Sequence, residues 1–515
     1  MTAASNSYVA RFLPLRLPRV CVAVTDTDPA ALVDKAEALV RDNTFLEFRL
    51  DYLPRPALAL PRIKRFIEYH PHVTAIATCR RTASGGKFKG SLAAQLDILG
   101  KASASGCQLL DIELQSAAKC KPEQVKRLRT RSALILSYHD FRATRNLDLT
   151  LEKMVKIPAD FYKIVGTATT LYDNVTMMKF LEKFGDRHSL VGLCMGEQGI
   201  ISRLLGVRAG SVFTFAAVSP DEKTAPGQTT AQELRSTYRI EQMDAATRIY
   251  GVAGDPVAHS LSPAIMNAAL RRENVNGVYL ALHAKTLKDL LACVRDIPIH
   301  GLSITMPYKE AILKHLDNTD SHTTKIGACN TVVRAQDGKL YGFNTDTAGV
   351  VRPLEQRITI ERAKILVLGA GGAARGVLLP VLAQKPRALV LSNRTQAKAD
   401  ALAAAFAGRG PVSAAPPSDL AGRTFDVVIN ATSAGLAGDT AWLWPDRLFR
   451  RDAFAYDMIY ADGSTMFLRW ARAQGVDRVA DGIGMLIEQA AESFFLWRGV
   501  RPDTAPVFEL LRPSR

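Results

Sequence analysis

The sequence predicts an α/β protein of two modules, a (β/α)8 barrel followed by a second α/β module that contains a dinucleotide-binding fold. Three observations lead to this. Strand-length β-branched runs alternate with amphipathic stretches from Val20 to about Ile240, the pattern of βα units around a parallel sheet. A glycine-rich turn, Gly369-Ala370-Gly371-Gly372-Ala373-Ala374, separates a strand-like run from a helix-like one. The 515 residues exceed what one core can hold, at roughly 150 residues per domain.

Composition narrows the function classes. With 47% hydrophobic and 23% charged residues, the chain is neither disordered nor membrane-spanning in character, and no apolar run approaches the roughly 20 residues of a bilayer span. The formal charge of +16 favours anionic ligands. The basic residues are dispersed, without a dense tract or an aromatic RNP-type motif, so small anionic substrates and a phosphorylated cofactor are expected rather than nucleic acid. The seven cysteines are scattered without metal-ligand spacing, which implies a reducing, cytoplasmic setting and no metal. Residues 1–18 read as a disordered lead; Met1 to Arg19 holds three arginines and no acid.

Eight candidate strands follow, over Val20–Val24, Phe45–Asp51, Val73–Cys79, Leu109–Glu113, Ala133–Tyr138, Phe161–Gly166, Leu190–Met195 and Val212–Val218. The barrel is expected over 19–242. Active sites of such barrels form at the carboxyl ends of the strands, and chemically capable residues cluster there: Glu47, Arg49, Arg80, Glu113, His139, Lys163, Arg203 and the segment Thr224-Ala225-Pro226-Gly227-Gln228. Singly, a histidine after a strand is a loop residue and a strand lysine reaches to solvent. Together they suit one chemistry. Lys163 stands among Phe161, Tyr162, Ile164 and Val165, where lost hydration favours a neutral, nucleophilic amine able to form an iminium with a ketone. The iminium acidifies the adjacent carbon, so that His139, oriented by Glu113, can remove a proton while a β-hydroxyl leaves. Arg49, Arg80 and Arg203 suit a substrate carboxylate.

These segments resemble the type I 3-dehydroquinate dehydratases. The matching stretches are Phe48-Arg49-Leu50-Asp51, Thr78-Cys79-Arg80, Ser137-Tyr138-His139-Asp140, the Lys163 strand, Met195-Gly196 through Ser202-Arg203, and Ala225-Pro226-Gly227-Gln228. The resemblance implies that Lys163 is the Schiff-base lysine, His139 the general acid/base and Glu113 its partner, with Glu47, Arg49, Arg80, Arg203, Thr224 and Gln228 contacting substrate. Cys79 replaces a common aromatic of that family, and Thr224 a common serine. Barrel lysines also serve class I aldolases; the surroundings of His139 and Gln228 favour the dehydratase.

A new strand opens at Ile249-Tyr250-Gly251-Val252. The strand Ile365–Leu368 runs into the glycine turn and an alanine-rich helix, the context a dinucleotide site requires, because glycines admit a pyrophosphate to the helix N-terminus. The next strand, Ala388–Ser392, leads to Asn393-Arg394-Thr395 rather than to an acid for a ribose hydroxyl. Arg394 and Lys398 suit a 2′-phosphate, so NADP(H) is expected in preference to NAD.

Upstream lie Ser260-Leu261-Ser262-Pro263, Ser303 to Lys309, Cys329-Asn330-Thr331 and Asn344-Thr345-Asp346; downstream lie Asn430-Ala431-Thr432-Ser433, Asp457-Met458-Ile459-Tyr460 and Gly484 to Ala490. Singly these are turn and capping residues. As a set they are similar to shikimate dehydrogenases. That resemblance implies a catalytic pair, Lys309 and Asp346, and substrate contacts from Ser260, Ser262, Thr305, Asn330, Tyr460 and Gln489. It places the cofactor on Gly369, Ala370, Gly371, Gly372, Ala373, Asn393, Arg394, Thr395, Lys398, Thr432 and Met458. A substrate domain is expected over 249–348 plus 485–515 and a Rossmann NADP-binding domain over 349–484. The two resemblances together imply consecutive reactions, 3-dehydroquinate to 3-dehydroshikimate to shikimate; the barrel family is often dimeric when free, but a fused partner can cover that surface, so a monomer is expected. A quinate dehydrogenase is the rival; both serines, Ser260 and Ser262, favour shikimate.

Overall fold

The computed structural model describes residues 13–257, 260–355, 357–432, 444–461 and 463–511. Ser433 and the lead up to residue 12 lie outside the described residues. The chain divides into two compact units, Met1–His259 with Asn276–Ile299, and Ser260–Val275 with His300–Arg515.

The first unit contains the barrel. Its strands are β1 (Val20–Val24), β2 (Phe45–Arg49), β3 (Thr74–Thr78), β4 (Leu109–Glu113), β5 (Ala133–His139), β6 (Phe161–Thr167), β7 (Leu190–Met195) and β8 (Thr214–Ala217). They run in the order β7-β6-β5-β4-β3-β2-β1-β8, and Val212 N donates to Leu190 O (2.8 Å), linking the approach to β8 back to β7. The α/β barrel expected from the sequence is therefore present. β1, β2, β3, β4 and β7 are buried along their whole length, as strands covered on both faces must be.

The amino-terminal end of the barrel is packed with Phe45, Ile76, Leu109, Ala133, Phe161 and Phe213, with Phe45 and Phe213 edge to face at 4.9 Å. Leu13 and Leu17 belong to the same cluster, each 8% exposed. The expected lead over 1–18 is corrected here: its last residues are core, because burying two leucines under the barrel is worth roughly 1.5–3 kcal/mol each, enough to order the segment.

In the same unit β9 (Arg248–Gly254) pairs in parallel with β10 (Gly277–His283). The helix that follows, Leu287–Asp296, offers the Asp289 carboxylate to Leu171 N (2.7 Å) and Tyr172 N (3.1 Å), at the start of the helix Tyr172–Phe184.

In the second unit β11 (Ile299–Ile304) lies antiparallel to β13 (Thr331–Arg334), and β13 to β14 (Leu340–Phe343); β12 (Asn318–Thr319) pairs with β14 in parallel. A six-stranded parallel sheet follows, of β15 (Lys364–Leu368), β16 (Ala388–Ser392), β17 (Val412–Ala414), β18 (Phe425–Asn430), β19 (Phe449–Asp457) and β20 (Arg478–Ala480), ordered β17-β16-β15-β18-β19-β20. This is the doubly wound order 3-2-1-4-5-6, in which the strand order reverses between β15 and β18 and leaves a crevice at their carboxyl ends. Period two is visible in the core: Ile365 and Val367 pack into one layer, Leu366 and Leu368 into the other.

Candidate active sites

The carboxyl end of the barrel is a polar cavity lined by Glu47, Arg49, Arg80, His139, Lys163, Arg203, Thr224 and Gln228. Eight of the nine barrel residues singled out in the sequence thus converge. Their placement follows from register: Ser137 is opposite Lys163 across β5 and β6, and Glu113 opposite Ser137 across β4 and β5, so inward-facing side chains of neighbouring strands share a layer.

Lys163 is 4% exposed. Its ammonium lies 3.1 Å from Asp111 Oδ2 and 3.8 Å from the centroid of the Phe215 ring. Asp111, which sequence reasoning passed over, also receives Arg80 at 3.2 Å and the Ser137 hydroxyl at 2.7 Å. Burial alone would push its carboxyl up, but Lys163, Arg80 and Ser137 outweigh that and hold it well below the usual carboxylate range. The signal was in the sequence, since Asp111 and Glu113 are two apart on one strand and so share a face.

Glu113 is the ninth residue, and no hydrogen bond joins it to His139 among the described residues. Its carboxylate accepts from Gln95 Nε2 (2.6 Å) and Arg81 N (2.6 Å), and it does not line the cavity. Through these two bonds it ties the segment after β3 to the helix that carries Gln95. His139 instead lies beside Phe141, ring to ring at 6.0 Å and 16°. Phe141 and Gly85, both unanticipated, line the cavity mouth; a Cβ on Gly85 would lie 2.1 Å from the Phe141 ring. Burial pushes the His139 imidazole well below its usual value, reinforced by the positive charges of Arg80 and Lys163, so the ring is neutral at pH 7.

Three arginines serve the cavity in different ways. Arg49 is paired with Asp51 by two hydrogen bonds of 3.0 and 2.9 Å, and Arg80 with Asp111. Arg203 is 2% exposed and makes one long bond, to Pro226 O at 3.5 Å; among the described residues no carboxylate pairs with it, and its Nε is unsatisfied. Burial lowers its pKa to about 10. Gln228 Oε1 accepts from Thr224 N (2.8 Å) and Thr224 Oγ1 (3.0 Å), a local clasp that shapes the loop after β8.

In the second unit Lys309 Nζ lies 2.6 Å from Asp346 Oδ2. Asp346 begins the helix Asp346–Glu355, and its Oδ1 accepts from Asn330 Nδ2 at 2.7 Å. Gln489 sits on the helix Ile483–Arg498, and a Cβ on Gly349 would come within 2.8 Å of the Gln489 Cβ; the missing side chain lets the two helices touch one turn from Asp346. Ser260 Oγ accepts from Ser262 N (3.2 Å) ahead of the helix that begins at Ser262. Ser260, Ser262, Thr305 and Tyr460 make no hydrogen bond to the Lys309–Asp346 pair among the described residues.

At the crevice of the parallel sheet, Gly369 has φ +109°, and a Cβ there would meet Ala431 O at 2.9 Å. Ala370 and Gly371 carry the turn to the helix Gly372–Ala383, which has no side-chain cap, so its first N–H groups are free to receive phosphate oxygens. A Cβ built on Gly371 or Gly372 meets nothing within 4 Å, leaving room for a pyrophosphate there; Ala373 is exposed in the same turn. Arg394 and Lys398 are exposed after β16, and Asn393 Nδ2 bonds Thr395 O (3.0 Å), fixing that turn. Asn430 ties Thr432 Oγ1 (2.6 Å) and Met458 N (3.0 Å) to the ends of β18 and β19. These residues fit a phosphorylated dinucleotide. Among the described residues no His, Cys, Asp and Glu group is arranged to hold a metal ion, and no helix is long and apolar enough to cross a membrane.

Comparison with known families places the boundary between the two modules between residues 245 and 252, so that β9 and β10, which cluster with the barrel unit, match the dehydrogenase. Residues 20–245 match the model for type I 3-dehydroquinase, 252–332 that for the shikimate dehydrogenase substrate binding domain, 354–437 that for shikimate / quinate 5-dehydrogenase, and 482–512 that for the shikimate 5'-dehydrogenase C-terminal domain. A shikimate dehydrogenase (NADP(+)) of Aromatoleum aromaticum is 47% identical over 51% of this chain and 96% of its own length, and one of Chromohalobacter salexigens is 48% identical over 51% and 97%. A shikimate 5-dehydrogenase of Thermus thermophilus, solved in complex with NADP(H) and shikimate, is 36% identical over 52% of this chain and 99% of that one, with a TM-score of 0.47. The chain belongs to the shikimate dehydrogenase family, and carries a type I 3-dehydroquinase module ahead of the dehydrogenase in the same polypeptide.

Proposed function

We propose that the barrel dehydrates 3-dehydroquinate to 3-dehydroshikimate, and that the second module reduces this product to shikimate with NADPH. The observation that carries the reading is Arg203, a buried guanidinium with no carboxylate partner among the described residues, in one cavity with Lys163 and His139. An anionic substrate removes the cost of that unpaired buried charge, and its ketone then meets the lysine.

Lys163, once deprotonated, attacks the ketone; water leaves and an iminium forms. His139, neutral because of its burial, takes the proton from the carbon between the iminium and the hydroxyl-bearing carbon. The electron pair forms the new C=C bond after passing through the enamine, and the hydroxyl departs as water with the proton His139 returns. Hydrolysis of the iminium releases the enone and restores Lys163. Asp111 stays ionised and fixes the lysine. Glu47, held by the Thr78 hydroxyl at 2.6 Å, together with Arg49, Arg80 and the Thr224–Gln228 clasp, contacts the ring hydroxyls and carboxylate.

In the second module, the turn from Gly369 to Ala373 would hold NADPH, which when bound would supply the hydride that the ketone needs. Lys309 Nζ delivers the proton that completes the alcohol, and Asp346 orients it. Ser260, Ser262, Thr305, Asn330, Tyr460 and Gln489 bind the polyhydroxy acid, and Arg394 with Lys398 recognises the 2′-phosphate that separates NADP from NAD. The test of the barrel chemistry is borohydride reduction of the protein mixed with 3-dehydroquinate, followed by peptide mass analysis. A reduced adduct on Lys163 is expected; turnover without any adduct refutes the Schiff-base route.

A further inference from the structure

Beneath the Lys309–Asp346 pair lies a closed circuit of side-chain hydrogen bonds. Asn330 Nδ2 is 3.0 Å from Thr345 Oγ1, Thr345 Oγ1 is 3.0 Å from Ser493 Oγ, Ser493 Oγ is 2.8 Å from Thr331 Oγ1, and Thr331 Oγ1 is 3.0 Å from Asn330 Oδ1. All four residues are buried, Thr331 and Ser493 completely and Thr345 and Asn330 to 2% and 3% exposure. The three hydroxyls come from separate elements: Thr331 opens β13, Thr345 precedes the helix Asp346–Glu355, and Ser493 lies in the helix Ile483–Arg498.

The ends of the circuit follow from proton counting. Each hydroxyl has one proton to give, a carboxamide nitrogen only donates and a carboxamide oxygen only accepts. The two ends are thereby fixed: Asn330 Nδ2 donates to Thr345 Oγ1 and Asn330 Oδ1 accepts, from Thr331 Oγ1 at 3.0 Å and Thr345 Oγ1 at 3.2 Å, while Ser493 Oγ also has Gln489 O as an acceptor at 3.0 Å. Thr345 N adds a further bond to Asn330 Oδ1 at 2.8 Å. The carboxamide is thereby locked against a flip, which would set its oxygen 2.7 Å from the Asp346 carboxylate. Its second N–H is left to point at Asp346 Oδ1, while Oδ2 faces Lys309.

We infer that Thr331, Thr345 and Ser493 are positioning residues of the dehydrogenase, which act through the Asn330 carboxamide to hold Asp346 at the angle that orients Lys309. A network of this kind is cooperative, because each donor is polarised by the bond it accepts, so one missing hydroxyl loosens the carboxamide, which keeps only its bonds to Thr345 N and Asp346. Asn330, placed against the substrate in the proposed function, is held by the same bonds that hold Asp346.

This inference rests on the proposed reduction of 3-dehydroshikimate, and the experiment separates the two. In the full chain, steady-state NADPH oxidation with 3-dehydroshikimate is measured for the wild type, Thr345→Val, Thr345→Ser and Asp346→Asn, and for Thr345→Val combined with Asp346→Asn. NADPH affinity by fluorescence serves as the folding control. Thr345→Val, of the same shape without the hydroxyl, is expected to lower kcat roughly five- to tenfold, the worth of one hydrogen bond, with NADPH affinity and KM little changed. Thr345→Ser, which keeps the hydroxyl, is expected to retain most of the rate, and the valine effect is expected to vanish in the Asp346→Asn background. A loss of the same size in that background, or a wild-type rate in Thr345→Val, overturns the inference. No turnover by the wild type overturns the functional reading instead.

Discussion

Each module carries a lysine–aspartate pair, and the two pairs are set differently. Lys163 and Asp111 have side chains 5% and 1% exposed and stand 3.1 Å apart, with the ammonium over the Phe215 ring. Lys309 and Asp346 are 33% and 17% exposed at 2.6 Å. The buried lysine has little hydration to lose before it attacks a carbonyl carbon, whereas the partly exposed one can have its proton replenished from solvent after each turnover. In the proposed mechanism the same two residue types serve covalent catalysis in one module and proton transfer in the other, and burial is what distinguishes them.

The largest effect expected from this contrast is in Lys163→Ala. Dehydratase kcat falls by about 10⁴-fold or more, the scale of losing a covalent route, while the rate with 3-dehydroshikimate is unchanged; steady-state assays of each step check this. Removing the acids comes next. Asp111→Asn leaves Lys163 and Arg80 buried without their anion and costs about 3–5 kcal/mol, measured as an earlier denaturation midpoint for the barrel together with a lower dehydratase rate. Asp346→Asn breaks a pair partly open to solvent, with an expected cost of about 1 kcal/mol or less, discounted for screening, although dehydrogenase turnover falls steeply. Equal destabilisation by both would remove burial as the distinguishing variable.

A smaller effect concerns cofactor choice. Arg394→Ala is expected to raise the KM for NADPH by about tenfold or more, the scale of one charge-assisted phosphate contact, with little change for NADH. The smallest is in pH. Because burial lowers the His139 pKa below 6.5, the imidazole remains neutral as the pH falls through 6.5. Dehydratase kcat/KM is therefore expected to have no histidine limb between pH 8 and 6.5, and to decline only below. The linked stability has the same sign: it is complete above 6.5 and is lost as the pH falls toward the lowered folded value, since the unfolded chain binds the proton first. A limb centred above 6.5 contradicts the assignment.

The barrel was legible because its strands are short apolar runs, and because residues such as Lys163 and His139 interrupt them at the carboxyl ends. The dinucleotide fold was legible from one turn, Gly369 to Ala374, with its flanking strand and helix. What the sequence concealed were partners across strands. Asp111 and Glu113 are both acids on one face of β4, and only the three-dimensional neighbours decide that Asp111 meets Lys163 while Glu113 is held by Gln95 and Arg81. Leu13 and Leu17 looked like a lead because they lack periodicity; their burial depends on a barrel floor formed by residues up to 200 positions away. The hydroxyl circuit under Asp346 joins Thr331, Thr345 and Ser493, which are distant in sequence and read singly as ordinary turn or helix residues.

The most direct test of the account supplies 3-dehydroquinate as the sole carbon substrate and follows NADPH oxidation by the purified full chain and by its Lys163→Ala variant. The account predicts steady oxidation by the wild type, none by the variant, and full recovery in the variant when 3-dehydroshikimate is added. Absence of oxidation by the wild type with either compound, with NADH tried as well, contradicts it.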